Sequence, residues 1–252
     1  MYQIIITEFL KLKRQSIIWI GIIAVFISAI LAAFQSNSDE GSVTYEAFYN
    51  NVIWNNFSLA FPFMIVLIGG YLINREYTDQ TLKTMLTVPI SFRKMLIGKM
   101  IVIGILTLLF GIASFITSIF LSLIFGFEGF SASILFKALY QIMTIGFCNY
   151  LAVLPIIAYF SRKKDSFFAG VGLAFFYGFC GIFVAGRNLT DFYPITSGLG
   201  LVQYTNIDSS ATNPIIGFSS LILMVILTFL LILKPPNYEK MMAGSEKKKK
   251  QA

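Results

Sequence analysis

Hydrophobic and polar positions divide this chain into six long apolar runs. Short polar stretches between them hold nearly all of the charge. The runs cover residues 15–38, 47–74, 100–127, 138–161, 166–186 and 209–233. A helix rises about 1.5 Å per residue, so roughly 20 apolar residues cross about 30 Å of hydrocarbon. Each run is long enough. Within them the pattern predicts helices over residues 17–34, 57–73, 100–125, 138–160, 167–185 and 215–233. Lipid offers the backbone no hydrogen-bond partner, and a helix satisfies its own. The alternating ten-residue segments of a membrane barrel are absent. Pro62 and Pro155 fall inside predicted spans as candidate kinks.

Two shorter segments are amphipathic. In residues 1–14, Gln3, Thr7, Lys11 and Arg14 recur at helical spacing, while Tyr2, Ile5, Phe9 and Leu12 share another face. This predicts a helix lying in the headgroup region before the first span. Glu8 falls near its polar edge, where a simple pair with Lys11 or Arg14 is expected. The second segment joins spans two and three. Thr78 is a candidate N-cap, Asp79 suits the positive end of a helix, and Pro89 ends it. Leu82, Met85 and Leu86 fall at i, i+3 and i+4. A helix of about ten residues is too short to span, so this apolar stripe must meet the membrane surface or a partner protein.

Composition agrees. Of 252 residues, 57% are hydrophobic, 12% are charged and the mean hydropathy is +0.78. Soluble domains carry about 25% charged residues. The formal net charge of +7 matters less than its placement. All of the 19 lysines and arginines except Lys137 and Arg187 lie in the two termini and the even-numbered loops. The positive-inside rule therefore puts both termini in the cytoplasm. The N-terminus imitates a secretion signal, but its apolar run is long and more spans follow, so an uncleaved first span is expected. Asp39, Glu40, Glu46, Glu128, Asp191 and Asp208 would form a solvated acidic outer rim. Asn56-Phe-Ser58 and Asn188-Leu-Thr190 match the glycosylation pattern on the outer side, with Asn56 too near its span for easy access. The chain reads as one all-α transmembrane domain over residues 1–252: an N-terminal helical segment at 1–14, six spans within 15–234, and a lysine-rich tail at 235–252.

Much chemistry is excluded. There is no histidine, so the usual general base and commonest metal ligand are missing. Cys148 and Cys180 lie within apolar runs, as small hydrophobes rather than a disulfide or metal pair. No phosphate-cradling G-x-x-x-x-G-K-[ST] is present. No charged residue lies deep in a predicted span, which argues against an ion-coupled transporter. No catalytic or metal-binding residues and no nucleic-acid partner are expected. Gly170, Ala174 and Gly178 recur every four residues on span five, and Gly69-Gly70 lie on span two. Such ridges serve packing within one subunit or a moving or dimeric interface.

The chain resembles the ABC-transporter type-2 permeases. The similarity lies in Glu8-Phe-Leu-Lys-Leu-Lys-Arg14, in the order Glu76, Thr81-Leu82, Leu86, Pro89-Ile-Ser91, Gly98-Lys99, and in the six-span layout. Gln80 departs from it where members often have Gly. The resemblance implies a multi-pass subunit in a bacterial plasma membrane, paired as a homodimer or with a related permease. It would bind a separate ABC ATPase that carries the ATP and magnesium, so this chain would bind no cofactor and be no enzyme. Residues 1–14 would be an elbow helix, with Ile5, Glu8, Phe9 and Leu12 among its contacts. Residues 79–88 would be a cytoplasmic coupling helix, with Glu76, Thr81, Leu82, Met85, Leu86 and Pro89 at the ATPase contact. Residues 188–214 would include short re-entrant helices. Overall size is similar to that of permeases exporting lantibiotics, bacitracin-like antibiotics or amphipathic toxin peptides. Phe57, Phe61, Phe175, Phe179 and Phe183 are candidates for a substrate cleft at a dimer interface, or else face lipid. The alternative function is a non-transport membrane interaction or sensor subunit.

Overall fold

The computed structural model describes residues 2–12, 15–37, 43–78, 92–162, 166–185, 187, 189–204 and 212–234. In chain order the helices are α1 (Tyr2–Leu12), α2 (Ile17–Asn37), α3 (Tyr45–Asn55), a π-helical turn (Asn56–Ala60), α4 (Phe61–Thr78), α5 (Phe92–Phe125), α6 (Ala132–Phe160), α7 (Phe167–Val184), α8 (Pro194–Leu201) and α9 (Pro214–Leu233). Six helical segments are long and apolar enough to cross a membrane: Ile17–Asn37, Tyr45–Tyr77, Phe92–Phe125, Ala132–Phe160, Phe167–Val184 and Pro214–Leu233. The chain is a multi-pass membrane protein.

Four predicted spans agree with the helices to within a few residues at each end, apart from the start of α6. Spans two and three begin earlier than the apolar pattern suggests. The second span starts at Tyr45, through a stretch carrying Asn50, Asn51 and Asn55. These amides find partners inside the protein. Asn51 Nδ2 donates to Ser36 Oγ (2.8 Å) and Asn55 Nδ2 to Gln35 Oε1 (3.0 Å), both on α2. The third begins at Phe92, and the charges that follow do not stop the helix. Thr78, the candidate cap of a loop helix, is instead the last residue of α4.

The second span is the centre of the bundle. Its most apolar window is 78% buried, against 28% for both α7 and α9. Tyr45, Phe48, Tyr49, Phe57, Phe61 and Met64 are fully buried along it. Small residues let its neighbours close in. Gly70 leaves room for the Phe167 ring of α7, Gly146 of α6 for Phe61, and Gly104 of α5 for Tyr150. The Gly170–Ala174–Gly178 ridge is used within this chain: Gly170 faces Phe160, and Gly178 faces Ser58 and Pro62.

At one end of the bundle, α1 lies against α5, and Tyr77 donates to the Ser161 carbonyl (2.8 Å). At the same end, Arg93 Nη2 caps α9 through the Leu233 carbonyl (2.6 Å). At the other end, Lys137 pairs with Glu46 (2.9 Å) on the surface, and Val43–Tyr45 run beside Glu128. There the eight residues of α8 are packed inside the protein, with Pro194 to Gly200 all buried. Gln141 Nε2 holds the Val202 carbonyl (2.8 Å) at the end of α8.

One expectation fails at this end and another, that Asn56 is too near its span to be reached, holds. Asp191 is not a solvated rim charge: it is buried, and its Oδ2 accepts from the Asn213 N–H before α9. Asn56 is no glycosylation acceptor, because it is fully buried and its amide is hydrogen-bonded to α2 and α5. Cys148 is buried as expected, whereas Cys180 is exposed on α7, and both are free.

One buried amide stands apart. Asn149, in the middle of α6, is fully buried, and neither of its amide atoms has a hydrogen-bond partner among the described residues. A buried unpaired polar group costs about 1–3 kcal/mol. Asn149→Leu should therefore stabilise the purified chain, raising its Tm in detergent. A lower Tm would show that the amide is solvated or paired after all.

Candidate functional site

Of the residues that carry the family resemblance, Glu8, Lys11, Glu76, Gly98 and Lys99 meet at the α1 end. On α1, Ile5, Glu8, Phe9 and Leu12 follow i, i+3, i+4, i+7 spacing and face the bundle. Tyr2, assigned by spacing to that apolar face, is exposed together with Ile6 and Leu10. Gly98 explains how α1 approaches α5 so closely. A Cβ there would stand 2.8 Å from Ile4 Cγ2. With Ile4 seated on Gly98, Glu8 lies one turn further along, beside Lys99.

Glu8 is therefore not at a polar edge. It is 4% exposed, and Glu76 of α4 and Lys99 of α5 are 5% and 1% exposed. Lys99 Nζ donates to Glu8 Oε2 and to Glu76 Oε1, the latter at 3.0 Å. Lys11 Nζ donates to Glu8 Oε1 at 2.9 Å and to the same Glu76 oxygen at 3.0 Å. The four side chains close a ring, Lys11–Glu8–Lys99–Glu76, of two ammoniums and two carboxylates with no net charge. Burying a lone ion would be prohibitive, but each here has two opposite charges within hydrogen-bond reach. Burial pulls the Lys11 ammonium down, yet its hydrogen bonds and attraction to Glu8 and Glu76 outweigh this and hold its pKa above the ordinary lysine value.

The ring ties three helices together around one loop. Glu76 lies two residues before the end of α4, and Lys99 lies in the second turn of α5, so the pair brackets residues 79–91. Thr81, Leu82, Met85, Leu86 and Pro89 fall outside the described residues. Lys99 was not singled out from the sequence as a site residue. The available signal was a lone lysine set between Ile97-Gly98 and Met100-Ile101.

The five phenylalanines proposed for a cleft do not share one surface. Phe57 and Phe61 are fully buried in this chain's own core, Phe57 against Trp54 and Phe61 against Gly146. Spacing alone could not show which face of the central span its neighbours cover. Phe175, Phe179 and Phe183 are exposed on α7, with the last two rings 5.4 Å apart.

The described residues form a helical bundle with six candidate spans and a buried ion ring at its α1 end, the form of a multi-pass membrane protein. The family model of the ABC-2 family transporter proteins matches residues 4–181, and the chain belongs to that family. The match takes in α1 and the first five spans as far as Gly181, and so includes every member of the ion ring. No curated protein matches this chain. The family is one of transport membrane subunits and implies an ABC ATPase partner.

Removing one member of a buried ion pair leaves an uncompensated charge and costs about 3–5 kcal/mol. Partly exposed pairs are worth about 1 kcal/mol or less. Lys99→Met should therefore lower the Tm of the purified chain by roughly 10 °C. Lys11→Met, whose side chain is 39% exposed, should cost far less. Equal losses in thermal unfolding would refute Lys99 as the keystone of the ring.

Proposed function

We propose that this chain is the membrane-spanning subunit of a bacterial ABC exporter. It moves amphipathic or antimicrobial peptides out of the cell or its membrane, using ATP hydrolysed by a separate subunit. The single observation carrying this reading is the buried ring that joins α1, α4 and α5 around residues 79–91. A push on that loop acts at once on two spans and the N-terminal helix, because both of its anchors are locked to each other and to α1. In this reading α1 is the elbow helix, and residues 79–88 form a coupling helix whose Leu82, Met85 and Leu86 stripe docks into the ATPase. ATP binding biases a two-state arrangement of the spans through this contact.

Two permeases pair, as a homodimer or with a related chain. The exposed Phe175, Phe179 and Phe183 of α7 supply an aromatic surface that tolerates varied amphipathic ligands. Phe57 and Phe61 are withdrawn from that surface. The ring end is cytoplasmic, since the lysines and arginines concentrate there and in the tail.

Orientation is checked with reporters. Fusion after Lys250 or insertion near Lys163 should report cytoplasm, and insertion near Glu40 or Thr205 the outside. Reversed signals at two of these sites would refute it.

The coupling contact is tested by charging the stripe. A buried apolar side chain contributes about 1.5–3 kcal/mol, and an unpaired buried charge costs more. Leu82→Asp and Leu86→Asp should abolish co-purification with the ATPase, or leave ATP hydrolysis without peptide export, while insertion stays normal. Lys83→Ala, off the stripe, should be mild. Normal co-purification and export in both Asp variants would remove the coupling assignment.

A further inference from the structure

The second span is not a continuous α-helix. Its π-helical turn, Asn56–Ala60, is closed by the Phe61 N–H donating to the Asn56 carbonyl five residues back. Such a turn holds one residue more than an α-helix would. The sequence supplies the cause. Pro62 has no N–H for the Ser58 carbonyl, and in an α-helix its ring would crowd that same carbonyl. The displaced carbonyl does not face lipid. It lies against Gly178 of α7, where a Cβ would overlap the oxygen and would also stand 3.0 Å from Pro62 Cγ. Asn56 is held by two other spans: it accepts from Ser28 Oγ of α2 and donates to Ser114 Oγ of α5, both at 2.8 Å.

The extra residue sets the rotation of α4. One α-helical residue turns the chain by about 100°. Closing the turn into α-helix without removing a residue would rotate everything beyond it by that angle. Glu76 lies roughly 22 Å further along α4 at 1.5 Å per residue. It would swing away from Lys99, and the ring would open.

We propose that the turn enforced by Pro62 is the positioning element of the ion ring. Asn56, Pro62 and Gly178 are positioning residues that fix the rotation of α4 so that Glu76 faces Lys99. Its functional meaning rests on the reading of the ring as the clasp of the ATPase-facing loop, whereas its geometry is testable on the chain alone.

The test uses thermal unfolding of the purified full chain in detergent. Gly178→Ala should lower the Tm by roughly 5 °C or more, because the obstacle is a backbone carbonyl rather than a flexible side chain. Deleting Leu59 together with Pro62→Ala removes the extra residue and lets the helix close. In the Gly178→Ala background this change should recover most of the loss. It should also preserve the ring, so that adding Lys99→Met still lowers the Tm as it does in the unaltered chain. Deleting Ile68 with Pro62 left in place is the matched control, because the enforced turn then persists and cannot absorb the deletion. It shifts the rotation of Glu76, so the chain either fails to fold or loses its dependence on Lys99.

A Tm unchanged by Gly178→Ala would overturn the proposal. So would a Leu59-deleted chain that fails to fold or no longer responds to Lys99→Met. A chain that behaves as expected here, yet binds no ATPase, would overturn the transport reading and leave the positioning role standing.

Discussion

Hydrocarbon contains no water to complete a hydrogen bond, so the polar groups this chain carries into the bilayer demand partners within the chain itself, and most of those described, though not Asn149, find them. Most of the fold follows from how that demand is met. Thr107, Thr117, Ser118 and Ser122 of α5 return their hydroxyls to carbonyls of their own helix three or four residues back. So satisfied, they act as thin residues, and Ser114, Ser118 and Ser122 make a narrow fully buried seam along α5. Polar groups with no local partner bridge helices instead. Asn51, Asn55 and Asn56 join the second span to α2 and α5, and the Tyr150 hydroxyl reaches the Met100 carbonyl at 2.7 Å. The amides that make Tyr45–Asn55 look too polar to span thus place it at the centre, where neighbours on all sides supply partners.

The same demand explains the two ends. At the α8 end a buried carboxylate, Asp191, takes the backbone N–H of Asn213. At the α1 end four ions answer one another. Glu76 carries the second span into that ring, so its register is fixed by full charges at one end and by the Ser28–Asn56–Ser114 bridge further along. Between these points the apolar side chains of α4 pack against α5, α6 and α7 without specifying register so strictly. Apolar surface tolerates a shift that an ion pair does not.

The sequence displayed the number of candidate spans, the limits of most of them and the amphipathic α1, because apolar length and helical period are local properties. It did not display which face of a span is covered. Phe57 and Phe175 read alike in one dimension, yet the first is buried against Trp54 of α3 and Gly181 of α7 while the second is exposed. Glu8, Glu76 and Lys99 each appeared within recognisable motifs. Their meeting depends on Gly98 admitting Ile4 and on the phase of α4, and both are tertiary facts. The π turn was equally hidden. Pro62 announced a disturbance, but not that the disturbed carbonyl would be received by a glycine on another span.

Stability alone does not account for an ion ring at this place. Well-packed apolar residues of similar volume are often as stable as a buried ion pair, or more so. What ions add is a fixed partner for each member. Lys99 reaches Glu8 and Glu76 only when α1, α4 and α5 hold one arrangement, whereas an apolar cluster accepts many. The ring joins the described end of α4 to the first turns of α5, on either side of residues 79–91 in the chain, and α1 shares it. A displacement of that loop meets a stiff joint rather than a yielding one, so it moves three helices together or opens the ring. In the proposed reading, two discrete outcomes rather than graded deformation would let this joint pass a nucleotide-driven event on to the membrane.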